Sequence, residues 1–271
     1  MTQQTDPSGD RGQNKATART LQVLSCFAAD APGYGVTELS QLLGMTKNMI
    51  YRALTTLVDQ GYLVRDVTGL RYQLGYRVLE LQNRTALEPD FRSLCAPYVQ
   101  KIHALTGETV SLMVRGLDYA VFIDGIETKR PGTWRMEIGG LRPLHVPASG
   151  RVMLAHCPDR EVADYIARHS PLTIPPSGRP MAEADLWADI NAIRERGYAL
   201  VRRDGPLPML AMGFPITDAE NRLHGVLSVG GPVERMEGEL QRLLPELRRL
   251  IDELCSRTRL YAADAAHMEI N

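Results

Sequence analysis

The 271-residue sequence has few cysteines, few aromatic side chains and no long hydrophobic run. Its four cysteines are scattered, and no two of them have the CxxC spacing of a zinc or redox motif. We therefore expect reduced cysteines in a cytoplasmic protein, with Cys26 and Cys95 as small core residues, and no metal or cofactor. No apolar stretch approaches the ~20 residues of a membrane helix, and the polar first residues lack the apolar core of a signal peptide.

A large excess of one charge is also missing, because 31 Lys and Arg oppose 32 Asp and Glu, for a formal net charge of -1. This balance argues against a nucleoid or architectural protein, which needs a strong basic excess. The segment from Lys15 to Arg77 is nevertheless basic, with seven cations against the anions Asp30, Glu38, Asp59 and Asp66. Such a local excess is typical of a DNA-binding domain joined to a second, neutral domain.

The stretch from Val36 to Leu74 predicts two short helices, a tight turn and a two-stranded hairpin, which is the pattern of a winged helix-turn-helix. Thr37 is the predicted N-cap of the first helix, and Gly44 ends it. Thr46 caps the second helix, whose apolar residues recur at spacings of three and four: Ile50, Ala53, Leu54, Leu57 and Val58. An apolar stripe between residues 16 and 29 predicts one further helix before this pair.

The first turns of the second helix would face the major groove of DNA. Asn can pair with an adenine edge, Lys and Arg with guanine or phosphate, and Met can touch a thymine methyl. With Arg19 before this pair and Arg71 in the wing, the candidate DNA-binding residues are Arg19, Thr46, Lys47, Asn48, Met49, Tyr51, Arg52 and Arg71. The alternative is a helical hairpin that only packs, and a solvated Arg19 is as good an interpretation as a phosphate contact.

Beyond residue 90 the pattern predicts a mixed domain, with strands in ETVSLMVRG, YAVFIDGIE, TWRMEI, YALVRRD, MLAMGFPIT and LHGVLSVGG. Helices are predicted around residues 149–155, 159–169, 183–196 and 237–261. The predicted fold class is α+β with an antiparallel sheet. We predict a disordered tail (1–14), a winged helix-turn-helix domain (15–77), a linker helix region (78–90), an effector-binding domain (91–262) and a tail (263–271).

Seven motifs stand in the order typical of one family: TARTLQVL, VTELSQLLGMTKNMIYRALTTLVDQGYL, YQLGYRVLEL, LTGETVSL, PLHVPASGRVMLA, RERGYA and GVLSVGGP. The chain from about Ala16 to Tyr261 thus resembles an IclR-type transcriptional regulator. The resemblance implies a GAF/PAS-like effector-binding domain behind the winged helix-turn-helix. It also implies a cytoplasmic repressor or activator, dimeric or tetrameric, that binds double-stranded DNA at a palindromic operator and responds to a small metabolite.

The resemblance also places the effector site. Relatives that bind small oxo-acids use backbone groups at the positions of Ala148 and Ser149, and two serines that here are Ser228 and Gly230. Their Asp and Cys positions fall on Val201 and Ala211, so two polar anchors are apolar here. In the DNA-reading helix, Lys47-Asn48-Met49 stands where the family often has Lys-Ser-Thr, which implies a different operator.

A less polar pocket favours an aromatic or branched organic effector, with any acid group at the start of the helix after Pro147. Nearby Met209, Leu210 and Met212 would line this pocket, although they would serve equally well as ordinary core. The rival interpretation is a small-molecule enzyme with an accessory DNA-binding-like domain, using His145, His156 with Cys157, Asp204 or Ser228. We expect no catalytic residues, because the sequence contains no GxSxG, HExxH or P-loop motif.

Overall fold

The computed structural model describes residues 14–28, 31, 33–82, 89–132, 136–175 and 177–268. The predicted N-terminal tail, apart from Asn14, and residues 83–88 of the predicted linker lie outside these ranges. The chain divides into two compact units, Met1–Ala86 and Leu87–Asn271. No helix in the described part of the chain is long and apolar enough to cross a membrane.

The first unit is a winged helix-turn-helix, as predicted. Its elements are α1 (Lys15–Ser25, followed by a 3-10 turn), α2 (Val36–Leu43), α3 (Lys47–Asp59), β1 (Leu63–Arg65), β2 (Tyr72–Leu74) and α4 (Arg77–Gln82). Strands β1 and β2 form the wing, and Tyr34 adds one antiparallel bridge to Tyr72. Val23, Leu39, Ile50 and Leu54 are fully buried, so the three helices share one core.

The ends of α2 explain its position in the sequence. Gly44 ends the helix with a φ of 62°, a left-handed conformation that glycine adopts without a Cβ clash. The prediction of Thr37 as N-cap is wrong, because the helix begins at Val36 and Gly35 is the N-cap. The Glu38 carboxylate accepts a hydrogen bond from the Gly35 N–H at 2.8 Å, so the cap comes from inside the helix rather than from a hydroxyl before it.

The second unit is built on one antiparallel sheet of six strands, in the order β5-β4-β3-β10-β9-β8. These strands are β3 (Thr109–Gly116), β4 (Tyr119–Ile126), β5 (Leu141–Pro143), β8 (Ala199–Arg203), β9 (Met209–Thr217) and β10 (Leu223–Pro232). A small separate hairpin pairs β6 (Thr173–Ile174) with β7 (Arg179–Pro180). The helices are α5 (Pro89–Thr106), α6 (Ala148–Ala155), α7 (Asp159–His169), α8 (Glu183–Arg196), α9 (Val233–Met236) and α10 (Leu240–Met268).

Helices cover both faces of this sheet, and strand alternation decides which side chains meet which helices. One core joins α5 and α10 to one face and contains Leu112, Phe214 and Leu227. The other core joins α6, α7 and α8 to the opposite face and contains Met113 and Val226. This second side, called the α6 side below, carries the candidate effector site.

The structure differs from the predicted elements at several points. Of the predicted strand TWRMEI, residues 133–135 lie outside the described ranges and Met136–Ile138 is not a strand. The short strands β5, β6 and β7 were not predicted, because two or three residues carry no readable alternation. Helix α10 continues to Met268, beyond the predicted domain end at residue 262.

Candidate functional site

The start of α3 presents a polar surface at the tip of the helix-turn-helix. The Thr46 side chain accepts a hydrogen bond from the Met49 N–H at 3.4 Å and so fixes where the helix begins. Ile50, Ala53 and Leu54 face the core, so Tyr51 and Arg52 lie on the outer face of the helix. Lys47, Asn48, Tyr51 and Arg52 are exposed and Met49 is half-buried. Exposed amide, ammonium and guanidinium groups on the first two turns are what a major-groove reader requires.

The two predicted arginines outside α3 differ in their surroundings. Arg19 is exposed on α1. Arg71 instead donates to the Gly33 carbonyl at 2.6 Å and pairs with Glu38 at 3.1 Å. The Gly35 N–H, with Arg71, holds the pKa of Glu38 below its ordinary value. The guanidinium of Arg71 therefore joins the wing to the start of α2, and we assign it no DNA contact.

Small residues lie side by side across the sheet on the α6 side. One row runs through four neighbouring strands as Gly213, Ser228, Ser111 and Gly125, and the next row contains Ala211, Gly230 and Thr109. We call these seven residues the small-residue floor. Because none of them has a large side chain, groups above the floor can lie close to the backbone of the sheet.

Two contacts bound this floor. The start of α6 packs on Gly213, where a Cβ would lie 3.0 Å from the carbonyl carbon of Ala148. At the other end, a Cβ on Gly125 would lie 2.7 Å from the terminal methyl of Met136. The glycines thus let a helix start and a methionine approach the sheet more closely than any side chain would permit.

Polar groups around the floor are unevenly satisfied. Ser149 Oγ donates to the sulfur of Met113 at 2.8 Å. Ser228 is only 7% exposed, and among the described residues its Oγ has no hydrogen-bond partner. A buried hydroxyl without a partner costs free energy, which a bound polar ligand would recover.

The predicted effector residues separate by face. Ala148, Ser149, Val201, Ala211, Ser228 and Gly230 meet on the α6 side, and alternation along β9 puts Met209 on that side too. The assignment of Leu210 and Met212 is wrong, because both belong to the core with α5 and α10. Successive residues of a strand point to opposite faces, so four consecutive positions could not all line one pocket.

Residue-by-residue reading of the sequence missed Ser111, Thr109, Gly213, Gly125 and Met136. The only signal for the four strand residues is the register, which puts Ser111 opposite Ser228 on one side and Gly213 opposite Ser228 on the other. Met136 lies outside any strand and carries no such signal. Small residues within strands lower the apparent strand propensity, and by themselves they do not indicate a binding site in a sequence.

His145 holds the loop before α6 through a buried network. Its Nε2 lies 2.9 Å from the Thr173 carbonyl, which can only accept, so Nε2 carries the proton and Nδ1 accepts from the Tyr165 hydroxyl at 2.7 Å. Burial lowers the pKa of His145 below its ordinary value of 6.5 and raises the pKa of Tyr165 to about 12. Both groups are therefore neutral near pH 7 and position the loop.

The other residues considered for catalysis have structural partners or lie exposed. His156 caps α6, with Nδ1 at 2.9 Å from the Val152 carbonyl, and Cys157 accepts from Arg115 at 2.8 Å. Burial raises the pKa of the Cys157 thiol, which opposes a nucleophilic thiolate. Asp204 is exposed in the loop after β8. Within the described ranges, no group of three His, Cys, Asp or Glu residues is placed to hold a metal ion.

Comparison with known proteins supports both units. The IclR helix-turn-helix domain matches residues 16–67, and the bacterial transcriptional regulator IclR C-terminal domain matches residues 85–256. The transcriptional repressor IclR of Escherichia coli is 25% identical over 237 residues, which cover 83% of this chain and 82% of that protein.

Solved structures agree in fold. An IclR family regulator from Brucella abortus superposes with a TM-score of 0.75 at 25% identity, over 92% of this chain and 94% of that chain. An IclR homologue from Microbacterium hydrocarbonoxydans, in complex with 4-hydroxybenzoate, has a TM-score of 0.67 at 20% identity, over 89% of this chain and 99% of that chain. The relatives are named as regulators rather than enzymes. The two matched domains together span most of the sequence, and the chain therefore belongs to the IclR family of bacterial transcriptional regulators.

Proposed function

We propose that this protein is a cytoplasmic, effector-controlled repressor of a catabolic operon and binds palindromic operator DNA as a homodimer or homotetramer. The observation that carries the DNA-binding part is the exposed first turn of α3, with Lys47 and Asn48 beside Arg52. The name of the Escherichia coli relative as a repressor favours repression over activation.

Binding to the DNA upstream of the protein's own gene, measured by fluorescence anisotropy at several salt concentrations, tests this proposal. Each phosphate contact contributes about 0.9 to the slope of log affinity against log salt, so Lys47→Ala and Arg52→Ala lower both affinity and slope. Arg160→Ala, an exposed cation on α7, is the matched control and leaves both unchanged. Equal slopes for all three variants and the wild type would rule out α3 as the DNA-reading helix.

The small-residue floor supports an aromatic or branched organic acid as the effector. Apolar Val201 lies opposite Ala211 of the floor, where a short oxo-acid would need polar partners. Backbone N–H groups at the start of α6, beside Ala148 and Ser149, are suited to a carboxylate. The 4-hydroxybenzoate bound by the Microbacterium homologue is an acid of this class.

Thermal-shift measurements with benzoate and 4-hydroxybenzoate against glyoxylate and pyruvate test the effector class. We expect the aromatic acids to raise the melting temperature and to change operator affinity, because only a ligand with different affinities for two states can shift their balance. Stabilisation by glyoxylate or pyruvate alone would refute an aromatic or branched effector.

Helix α4 supports an oligomer. Its side chains at Leu79 and Leu81 are 54% and 51% exposed, and the neighbouring Tyr76 is 84% exposed. Apolar groups at this density on a short helix are typical of a surface covered by a second copy. We expect light scattering to give a dimer or tetramer and Leu79→Glu to lower the mass, whereas Arg160→Glu leaves it unchanged. A monomeric wild type would contradict this assembly.

A further inference from the structure

Glu108 is a buried carboxylate at the corner between α5 and β3, and only 2% of it is exposed. Arg235 on α9 holds both of its oxygens, with Nε 2.5 Å from Oε1 and Nη2 2.9 Å from Oε2. Arg130 adds a third contact at 3.4 Å. A carboxylate removed from water needs such a two-pronged guanidinium partner, and losing that partner leaves an uncompensated charge.

Two glycines make room for this cluster. A Cβ on Gly231 would lie 2.4 Å from Glu108 Oε2, and a Cβ on Gly107 would lie 2.7 Å from the guanidinium carbon of Arg130. Gly107 also has a φ of 66°, which disfavours any other residue. The backbone on both sides of Glu108 is therefore shaped around the ion pair.

The same cluster holds residues 128–132, which we call the wall segment. Arg235 Nη1 donates to the Pro131 carbonyl at 3.0 Å. The Thr128 hydroxyl donates to the Gly107 carbonyl at 2.7 Å, and the Thr128 N–H donates to Thr109 Oγ1 at 3.2 Å. Thr109 belongs to the small-residue floor, so these bonds hold the wall segment at the edge of the candidate effector site.

The wall segment also reaches the loop between β8 and β9. A Cβ on Gly132 would lie 3.3 Å from the ring of Pro232 and 3.4 Å from the Leu207 side chain. Arg235 thus fixes one border of the site without facing the floor, because Glu108 lies against Gly231 and Gly231 faces away from the floor.

We propose that Glu108 and Arg235 are positioning residues for the effector: their ion pair holds the wall segment against Thr109 and Leu207 and so shapes the site from outside. This assignment rests on the proposed effector site. The corner also reaches α5, because His103 Nδ1 lies 2.7 Å from the Glu108 carbonyl oxygen in the last turn of that helix. The backbone of Glu108 is therefore tied to the last turn of α5.

Hydrogen exchange of the full-length protein tests, without any ligand, whether the Glu108–Arg235 ion pair holds the wall segment. We call this arrangement the clamp. Arg235→Lys keeps the positive charge but cannot donate to both oxygens of Glu108 at once. We therefore expect amides of residues 128–130 and 132 to exchange about tenfold faster or more. Amides of α7 and α8 should not change. Arg249→Lys, which alters an exposed pair with Glu246, is the matched control. Exchange in the wall segment equal to that of the control would overturn the proposal.

A second variant allows the same measurement if Arg235→Lys does not fold. Thr128→Val removes the hydroxyl's bonds to the Gly107 carbonyl and to the Arg130 N–H but leaves the buried carboxylate paired, so it should also accelerate exchange in the wall segment. Unchanged exchange in this variant likewise overturns the proposal.

Calorimetry with 4-hydroxybenzoate as the probe separates the clamp from the effector class. If the wild type binds the probe, Arg235→Lys should weaken binding about tenfold while operator affinity without the probe stays unchanged. Binding that is equal in the wild type and in Arg235→Lys contradicts the positioning role. If the wild type does not bind the probe but exchange in the wall segment responds to the substitution, the aromatic effector class fails and the clamp stands.

Discussion

Gly213 lies so close to Ala148 that a Cβ on the glycine would be 3.0 Å from the alanine carbonyl carbon and 3.2 Å from Ser149 N. The start of α6 therefore rests on the backbone of β9. This contact sets the distance between the sheet and the backbone N–H groups proposed to bind the effector carboxylate. The lack of a side chain at Gly213 thus lets the start of α6 lie directly against the sheet.

Gly213→Ala should push α6 away from the sheet. We expect a loss of about 1–3 kcal/mol in the free energy of unfolding, measured by urea denaturation, together with weaker binding of 4-hydroxybenzoate. Gly205→Ala is the control, since a Cβ there meets nothing within 4 Å, and it should change stability by less than about 0.5 kcal/mol. Equal free energies of unfolding for the two variants would show that α6 moves away from the sheet without cost.

Ser228→Ala removes a buried hydroxyl that has no partner among the described residues. We expect the free energy of unfolding to stay the same or to rise by about 1 kcal/mol, because an unsatisfied buried group disappears. Effector binding should weaken in the same variant, since the ligand loses a hydrogen bond. A clear loss of stability would mean that the hydroxyl already has a partner in the free protein.

Asn48→Ala should reduce the specificity of DNA binding more than its strength. An amide paired with an adenine edge contributes about 1–3 kcal/mol of discrimination at one base pair. Binding to a set of single-base operator variants should therefore lose its preference at one position in each half-site. Lys47→Ala is the comparison, and it should weaken binding to all sequences evenly. A uniform loss for Asn48→Ala would assign Asn48 to the phosphate backbone instead.

His145 should make the protein sensitive to mild acid. Its pKa in the folded protein lies below the ordinary value of 6.5, so between these two values the unfolded chain binds more protons and stability falls as pH falls. The groups that face it, Tyr165, His169 and Arg151, supply no carboxylate to hold a charged ring. Thermal melts at pH 7.5 and pH 5.5 should show a smaller acid loss in His145→Gln than in the wild type, and an equal loss contradicts this source of acid sensitivity.

Local signals were sufficient for the DNA-reading unit. Helix α3 was predictable because Thr46 caps it and Ile50 and Leu54 set its inner face, all within a few residues of one another. The wing was predictable from a turn at residues 66–69 between two β-rich segments. Thr37 is not the cap, because the Glu38 carboxylate accepts the hydrogen bond from the Gly35 N–H. Thr37 and Glu38 are adjacent polar residues, and the sequence offers no criterion for choosing between them.

The effector site depends on contacts between distant parts of the chain. Alternation along β9 alone would have excluded Leu210 and Met212, had the strand been read as having two faces. The small-residue floor could not be predicted, because strand order and register bring Ser111 beside Ser228. The pairing of Glu108 with Arg235, separated by 127 positions, has no local signature at all.

The row formed by Gly213, Ser228, Ser111 and Gly125 has a practical consequence for engineering. Four different strands each contribute one position, and neighbours in the row lie directly opposite each other across the sheet. A methyl group can be added by Ser→Thr at either Ser228 or Ser111, and because these two residues are direct neighbours the effects of the two substitutions should be coupled. If the proposed effector binds on this floor, substitutions in the row would retune the regulator as a biosensor toward smaller or larger ligands.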